Sequence, residues 1–253
     1  EDLRRLGRIH SVAEARAAFD IARECFKRVS FDLIYARQGQ TLQDWRKELS
    51  EALSMAIDHL SLYQLTIEDG TAFGDRYARG KLRELPSDDT AADMYQVTQE
   101  VTAAHGMPGY EISNHARPGA ESLHNLIYWR YGDYAGVGPG AHGRLTISGQ
   151  RYATAGWKAP GKWLAAATDG NGDEVFEPIG GSEQADECLL LGLRTTEGVS
   201  LQRIAALRGV ELPRLQVSRL IEQGAIRIEN QNIIVHKQYV SLLNSILREL
   251  SGD

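Results

Sequence analysis

Apolar and polar positions switch between two periods along this chain, and the switches mark its elements. Ala15, Ala18, Phe19 and Ala22 recur at helical spacing after Ser11. Ser11 with Glu14 three places on is a capping-box pattern, so a helix is predicted over 11–28. The short run from Val29 to Tyr35 is β-branched and aromatic and reads as a strand. Helical spacing returns from Thr41 to Ala56, where Trp45, Leu49, Ala52, Leu53 and Ala56 share a face. His59 to Ile67 is a second strand. Strand, helix and strand at this spacing make a βαβ unit, which implies parallel strands and a right-handed crossover. Asp69-Gly70 closes that strand, and an irregular or partly helical excursion runs to Pro86. A long helix from Ser87 to His105 then stops at Gly106 and Pro108.

The second half is patterned differently. Gly109 to Gly143 mixes short strands, a polar-aromatic segment and a glycine-rich loop. Asp169-Gly170-Asn171-Gly172 is a flexible connector and marks a domain edge. Helices follow over 182–193, 201–208 and 212–223. Ile226 and Ile228, then Ile233 and Val235, alternate as two strands around a turn at Asn230-Gln231-Asn232. A last helix carries Val240, Leu243, Leu247 and Leu250. Three helices with a small hairpin read as winged-helix-like.

Composition narrows the classes. The chain has 253 residues, 42% hydrophobic and 25% charged, which is ordinary for a globular α/β protein. No apolar run approaches the roughly 20 residues of a membrane span, and no secretory leader is visible, so the reading is cytoplasmic. Two cysteines, Cys25 and Cys188, exclude a disulfide framework. They also fall short of the thiolates an iron–sulfur cluster takes from one chain. The net charge is −6. Residues 183–253 carry eight Lys and Arg against nine Asp and Glu, so the winged-helix-like part lacks the basic face of a nucleic-acid reader. No nucleic-acid partner is expected.

Four segments carry candidate chemistry. Gly138-Pro139-Gly140-Ala141-His142-Gly143 has the spacing of a dinucleotide loop, but Arg144 to Tyr152 reads as extended where a helix should open. The glycines instead let backbone approach a ligand closely, or simply make a tight turn. His124-Asn125-Leu126-Ile127-Tyr128-Trp129, if helical, puts His124 and Tyr128 on one face and Asn125 and Trp129 on the next. An imidazole beside flat aromatic rings suits haem iron, but such a run more often makes a packing cluster. Asp32 sits inside a strand, which makes sense facing a polar ligand in a barrel or facing water at a strand end. Tyr110 to His115 packs polar groups onto a short strand.

Taken together and in order, several blocks resemble one family. Phe31-Asp32-Leu33-Ile34-Tyr35 with Gln40-Thr41 and Trp45, His59 to Glu68, and Tyr110-Glu111-Ile112-Ser113-Asn114 resemble the radical SAM proteins related to oxygen-independent coproporphyrinogen III oxidase. So do His124-Asn125 with Tyr128-Trp129, and Gly132-Asp133-Tyr134 running into Gly136 to His142. The H-N-x-x-Y-W block is similar to the hallmark of the HemW-like haem-chaperone branch, where it is proposed to bind haem; the true oxidases lack it.

The resemblance implies an α/β fold: the C-terminal part of a partial (β/α)6 radical SAM barrel over 1–170, then a small winged-helix-like α+β domain over 171–253. By matching motifs, Arg8 and Asp32 correspond to residues contacting S-adenosylmethionine, with Thr66 and His142 at backbone-contact positions. His124 corresponds to the haem-iron ligand, with Asn125, Tyr128 and Trp129 shaping the pocket. The family's C-x-x-x-C-x-x-C segment, which holds a [4Fe–4S] cluster, has no counterpart here, and its G-L-P after the Asp32 strand reads Ala36-Arg37-Gln38. Glu1 to Gly7 reads like the inside of a helix. The expectation is therefore a portion of a longer haem chaperone that hands haem to acceptor proteins and does no radical chemistry alone. The alternative is a coproporphyrinogen III oxidase, which decarboxylates porphyrinogen propionates oxidatively; a nucleic-acid-binding winged-helix protein ranks last.

Overall fold

A computed structural model describes residues Asp2–Ser251. The chain divides into two compact units, Glu1–Glu121 and Ser122–Asp253.

The first unit opens with α1 (Asp2–Arg5) and α2 (Val12–Cys25). Ser11 caps α2 reciprocally: its Oγ accepts from Glu14 N at 3.2 Å, and Glu14 Oε2 accepts from Ser11 N at 2.7 Å. Then come β1 (Asp32–Tyr35), α3 (Leu42–Met55), β2 (His59–Gln64), α4 (Ala72–Ala78), α5 (Asp88–Ala104) and β3 (Asn114–Ala116). Thr41 and Asp44 repeat the capping box on α3. Strands β1 and β2 are parallel, as the βαβ pattern requires, with Asp32 opposite Ser61 and Tyr35 opposite Gln64. Strand β3 adds antiparallel to β2, with Asn114 opposite Ser61.

One face of this sheet is the core. Tyr35, Leu60 and Leu62 meet Trp45, Leu49 and Leu53 of α3 and Met94, Val97 and Val101 of α5. Trp45 stacks on Tyr35 with ring centroids 4.8 Å apart, and its Nε1 donates to Thr98 Oγ1 at 2.8 Å. A buried indole N–H thus finds its partner on the facing helix.

Three expectations shift here. Asp32 is the first residue of β1 and is exposed, because Val29 and Ser30 stay outside the ladder. The second strand ends at Gln64 rather than Ile67: its parallel partner stops at Tyr35, after which Ala36 turns into the left-handed region at φ +58°. Tyr110 to Ser113 is a turn, since Glu111 Oε1 accepts from Ser113 N at 2.8 Å and Asn114 Nδ2 at 2.6 Å and so bends the chain before β3.

The second unit contains α6 (Leu123–Trp129), β4 (His142–Ile147), β5 (Gln150–Gly156), α7 (Pro160–Thr168), β6 (Asp173–Pro178) and α8 (Gly181–Gly192). These are followed by β7 (Val199–Ser200), α9 (Leu201–Arg208), α10 (Arg214–Glu222), β8 (Ile226–Glu229), β9 (Asn232–Val235) and α11 (Leu243–Ser251). A 3-10 turn, Lys237–Leu242, precedes α11, so Val240 lies outside the last helix. Two antiparallel sheets form, in the orders β4-β5-β6 and β7-β9-β8. Asn230 and Gln231 both have positive φ, the conformation of a two-residue hairpin turn. Helix α7 and strand β6 were not anticipated. Among the described residues no helix is long and apolar enough to cross a membrane.

Candidate functional site

Helix α6 is short, and its sequence decides which side shows. Ser122 caps it, its Oγ accepting from Asn125 N at 3.3 Å. Leu126 is its one buried residue, while Leu123 and Ile127 are 75% and 42% exposed. His124 and Tyr128, four apart, lie beside that open apolar strip. Their rings meet edge to face at 4.9 Å, and Tyr128 Oη lies 3.1 Å from His124 Nε2. Tyr134, beyond the helix, packs edge-on against Tyr128 at 4.5 Å. The result is a ladder of three rings, His124, Tyr128 and Tyr134, at the surface.

Asn125 and Trp129 are half-buried. The Arg194 guanidinium sits 5.1 Å over the Trp129 ring, and Trp129 Nε1 is buried with no hydrogen-bond partner among the described residues. The structure therefore joins His124 to Tyr128 directly and leaves Trp129 to hold the inner side of the helix.

The residues beyond α6 fix its end. Tyr131, 2% exposed and at φ +53°, has Arg151 3.9 Å above its ring and Arg203 at 5.5 Å. Tyr131 Oη donates to Glu187 Oε2 at 2.9 Å, and Arg144 Nη2 donates to Glu187 Oε1 at 2.6 Å. Burial pushes the Glu187 carboxyl up, but the hydrogen bonds from Arg144 and Tyr131 outweigh it and hold it below the usual carboxylate range. Burial first, and then the bond to Glu187, raise the Tyr131 phenol. Arg203 also caps carbonyls after the helix, donating to Arg130 O at 2.8 Å and Tyr131 O at 2.9 Å. None of these partners was visible in the sequence; Glu187 is 56 residues from Tyr131.

The glycine-rich loop is accounted for by its own backbone. A Cβ on Gly136 would lie 2.4 Å from His142 O, and one on Gly143 would lie 2.5 Å from Thr154 Oγ1. Strand β4 comes directly after the loop, so the dinucleotide reading falls. His142 opens β4, exposed, opposite Ala155.

In the first unit Arg8 lies in the exposed segment between α1 and α2, and Thr66 is exposed just past β2. Asp32 shares a sheet face with Ser61 and Asn114, its cross-strand neighbours. That face lies opposite the helix-packed core and carries a carboxylate, a hydroxyl and a carboxamide in one row. Asp32 is exposed at its edge, Ser61 and Asn114 are buried, and Asn114 Oδ1 is an acceptor with no hydrogen-bond partner among the described residues, which fits a donor-bearing ligand at the Asp32 end. Among the described residues no hydrogen bond or ion pair joins Arg8, Asp32 and Thr66 to one another.

A cluster does not fit the described residues. Cys25 is exposed at the end of α2 and Cys188 is buried in α8, where burial raises its thiol. No group of three His, Cys, Asp or Glu converges among the described residues.

Comparison with known proteins bears on this arrangement. No family model matches the chain. It is 36% identical over 98% of its length to "Radical S-adenosyl methionine domain-containing protein 1, mitochondrial" of Mus musculus, covering 59% of that protein. It is 35% identical over 99% of its length to "Heme chaperone HemW" of Bacillus subtilis, covering 66% of it. The chain thus spans about six-tenths of the length of such relatives. The solved structure of coproporphyrinogen III oxidase (HemN) from Escherichia coli, described as a radical SAM enzyme, matches 98% of the chain with a TM-score of 0.74 at 18% identity, and 61% of that chain is covered. This likeness shows a shared α/β fold.

Proposed function

The chain belongs to the HemW-like branch of the radical SAM proteins, and from that premise we propose that it binds haem at helix α6 for delivery to haem-dependent acceptor proteins. The observation that carries this reading is His124: an exposed imidazole beside the open strip of Leu123 and Ile127, flanked by the rings of Tyr128 and Tyr134. Apolar side chains left in water next to a metal-ligating side chain suit a flat, greasy cargo with an iron at its centre.

The roles divide by chemistry. His124 supplies a ring nitrogen to the iron. Leu123 and Ile127 cover porphyrin surface, and the gain scales with the apolar area they lose to the cargo. Tyr128 stands against the imidazole, Trp129 anchors the helix from within, and Asn125 offers an amide toward a polar edge of the cargo. Ser122 and the Tyr131–Glu187 bond keep the helix ends in place.

S-adenosylmethionine belongs to the parent protein in this reading, with Arg8, Asp32 and Thr66 as its contacts in the first unit and the Asp32 end of the polar row facing its donor groups; His142, in the second unit, is a candidate contact by motif match alone. When bound it supplies a cleavable sulfonium; the residues present hold no [4Fe–4S] cluster, so no radical step is assigned to this chain. A barrel portion over 1–170 and a winged-helix-like domain over 171–253 are proposed, in a cytoplasmic protein, although that edge lies past the division of the compact units at Glu121 and Ser122 and between the paired strands β5 and β6.

Titration of haem into the chain and into His124→Ala tests the proposal. Wild type should develop a shifted Soret band with saturable binding, and His124→Ala should lose it or weaken it at least tenfold. Identical spectra and affinities would sink the ligand assignment.

A further inference from the structure

The ring nitrogen of His124 nearest Tyr128 already has a hydrogen-bond partner in this structure. Tyr128 Oη is 3.1 Å from Nε2. A phenol donates more readily than it accepts, and a neutral imidazole nitrogen is a good acceptor, so the favoured arrangement keeps the hydrogen on the oxygen and occupies the Nε2 lone pair. A neutral imidazole that accepts at Nε2 carries its own hydrogen on Nδ1, which closes that nitrogen as well.

Tyr128 is held in this position by a neighbouring ring. Tyr134 meets its ring edge-on at 4.5 Å and 65°. Tyr134 is itself pinned by two backbone hydrogen bonds with Arg144, Tyr134 N to Arg144 O at 2.8 Å and Arg144 N to Tyr134 O at 2.9 Å. Arg144 is anchored on Glu187. The Tyr128 ring is therefore packed against a residue that is itself bridged to β4.

We propose that Tyr128 is a built-in competitor for His124 Nε2, returned to its place by Tyr134 as a positioning residue, so that the site exchanges haem instead of retaining it. The inference rests on the haem-binding reading above. The exchange balances without proton transfer. The iron–Nε2 bond forms as the Oη–H···Nε2 bond breaks, the imidazole is already the Nδ1–H tautomer, and the phenol keeps its proton and turns to water. On release the same steps run backward, with the hydroxyl closing the nitrogen again.

The energetic scale suits a carrier. One ordinary hydrogen bond changes an equilibrium by roughly a factor of three to ten. That is enough to speed departure and too little to prevent loading.

The test has two readouts. In the haem-free chain, long-range proton–nitrogen correlation at the His124 ring should show the Nδ1–H tautomer in wild type and the Nε2–H tautomer in Tyr128→Phe. Tyr128→Phe should also bind haem about three- to tenfold tighter, and transfer it to apomyoglobin more slowly by about the same factor. Tyr134→Leu should move both readouts part of the way. An unchanged tautomer, or unchanged or weaker haem binding in Tyr128→Phe, overturns the competitor. His124→Ala separates the two ideas: if it binds haem like wild type, the ligand reading has failed. If it loses haem while Tyr128→Phe gains nothing, only the competitor has failed.

Discussion

The phenol of Tyr131 donates to Glu187 Oε2 at 2.9 Å, tying the residue two places beyond α6 to the middle of α8. Arg144 grips the other oxygen of the same carboxylate at 2.6 Å. Glu187→Ala removes both partners' acceptor at once and should lower the stability of the chain by about 2 kcal/mol. Glu187→Gln keeps an acceptor for the phenol and should cost about half as much. Urea midpoints measure both, and a wild-type midpoint for Glu187→Ala would show that the clasp contributes nothing.

Ala36 should tolerate only glycine. It is buried at φ +58°, where a Cβ crowds the following carbonyl and a branched one crowds it more. Ala36→Val should cost about 2 kcal/mol. Ala36→Gly should stay within about 1 kcal/mol of wild type, because the relieved strain is offset by added chain entropy and a lost methyl contact. Guanidinium unfolding of the two variants gives the comparison; equal stabilities would refute it.

Two glycines should respond in opposite directions to the same change. At Gly136 a new Cβ meets the His142 carbonyl at 2.4 Å, and backbone cannot swing away as a side chain can. Gly136→Ala should therefore cost about 2–3 kcal/mol. Gly161, inside α7, has open space around it and an ordinary φ. Gly161→Ala should stabilise the chain by about 0.5–1 kcal/mol. Thermal midpoints should move down in the first and up in the second.

His59 should make the chain acid-sensitive. It is buried, with Ser30 Oγ 2.7 Å from Nδ1 and Tyr110 Oη 3.0 Å from Nε2. Burial holds its imidazole below the usual range; Asp58, Asp32 and Glu121 pull upward and Arg28 adds to the lowering. The unfolded chain titrates near about 6.5 and so binds the proton first. Stability is full above that pH and falls as the pH drops through it toward the folded value. Urea unfolding at pH 7.5 and 5.5 should show a larger loss for wild type than for His59→Gln. Parallel losses would remove His59 as the cause.

Legibility in the sequence depends on how local each cause is. The capping boxes at Ser11 and Thr41 involve residues three apart, and the Trp45, Leu49 and Leu53 face repeats within one helix, so both were legible. The His124–Tyr128 pair was legible for the same reason, being one helical turn apart. Tyr134 was not: it reaches Tyr128 only because the chain turns at Tyr131 with a positive φ that a tyrosine does not advertise. Glu187 was hidden by its distance along the chain. Asp32 was misplaced inside its strand because apolar neighbours suggest a strand but do not say where pairing begins. Strand β6, with Glu174, Glu177 and Pro178 beside Val175 and Phe176, has too mixed a pattern to stand out.

Strand β2 carries two surfaces on one thread. Leu60 and Leu62 feed the helix-packed core, while His59, Ser61 and Tyr63 point the other way, Ser61 into the polar row. Replacing one of these side chains alters one contact. Deleting one residue would invert every side chain beyond it, sending Tyr63 toward Met94 and a leucine into the polar row. Natural variation in this segment should therefore be variation in spelling and never in length. A collection of relatives aligned without a single gap across residues 59–64 would be the mark that this constraint leaves on lineages.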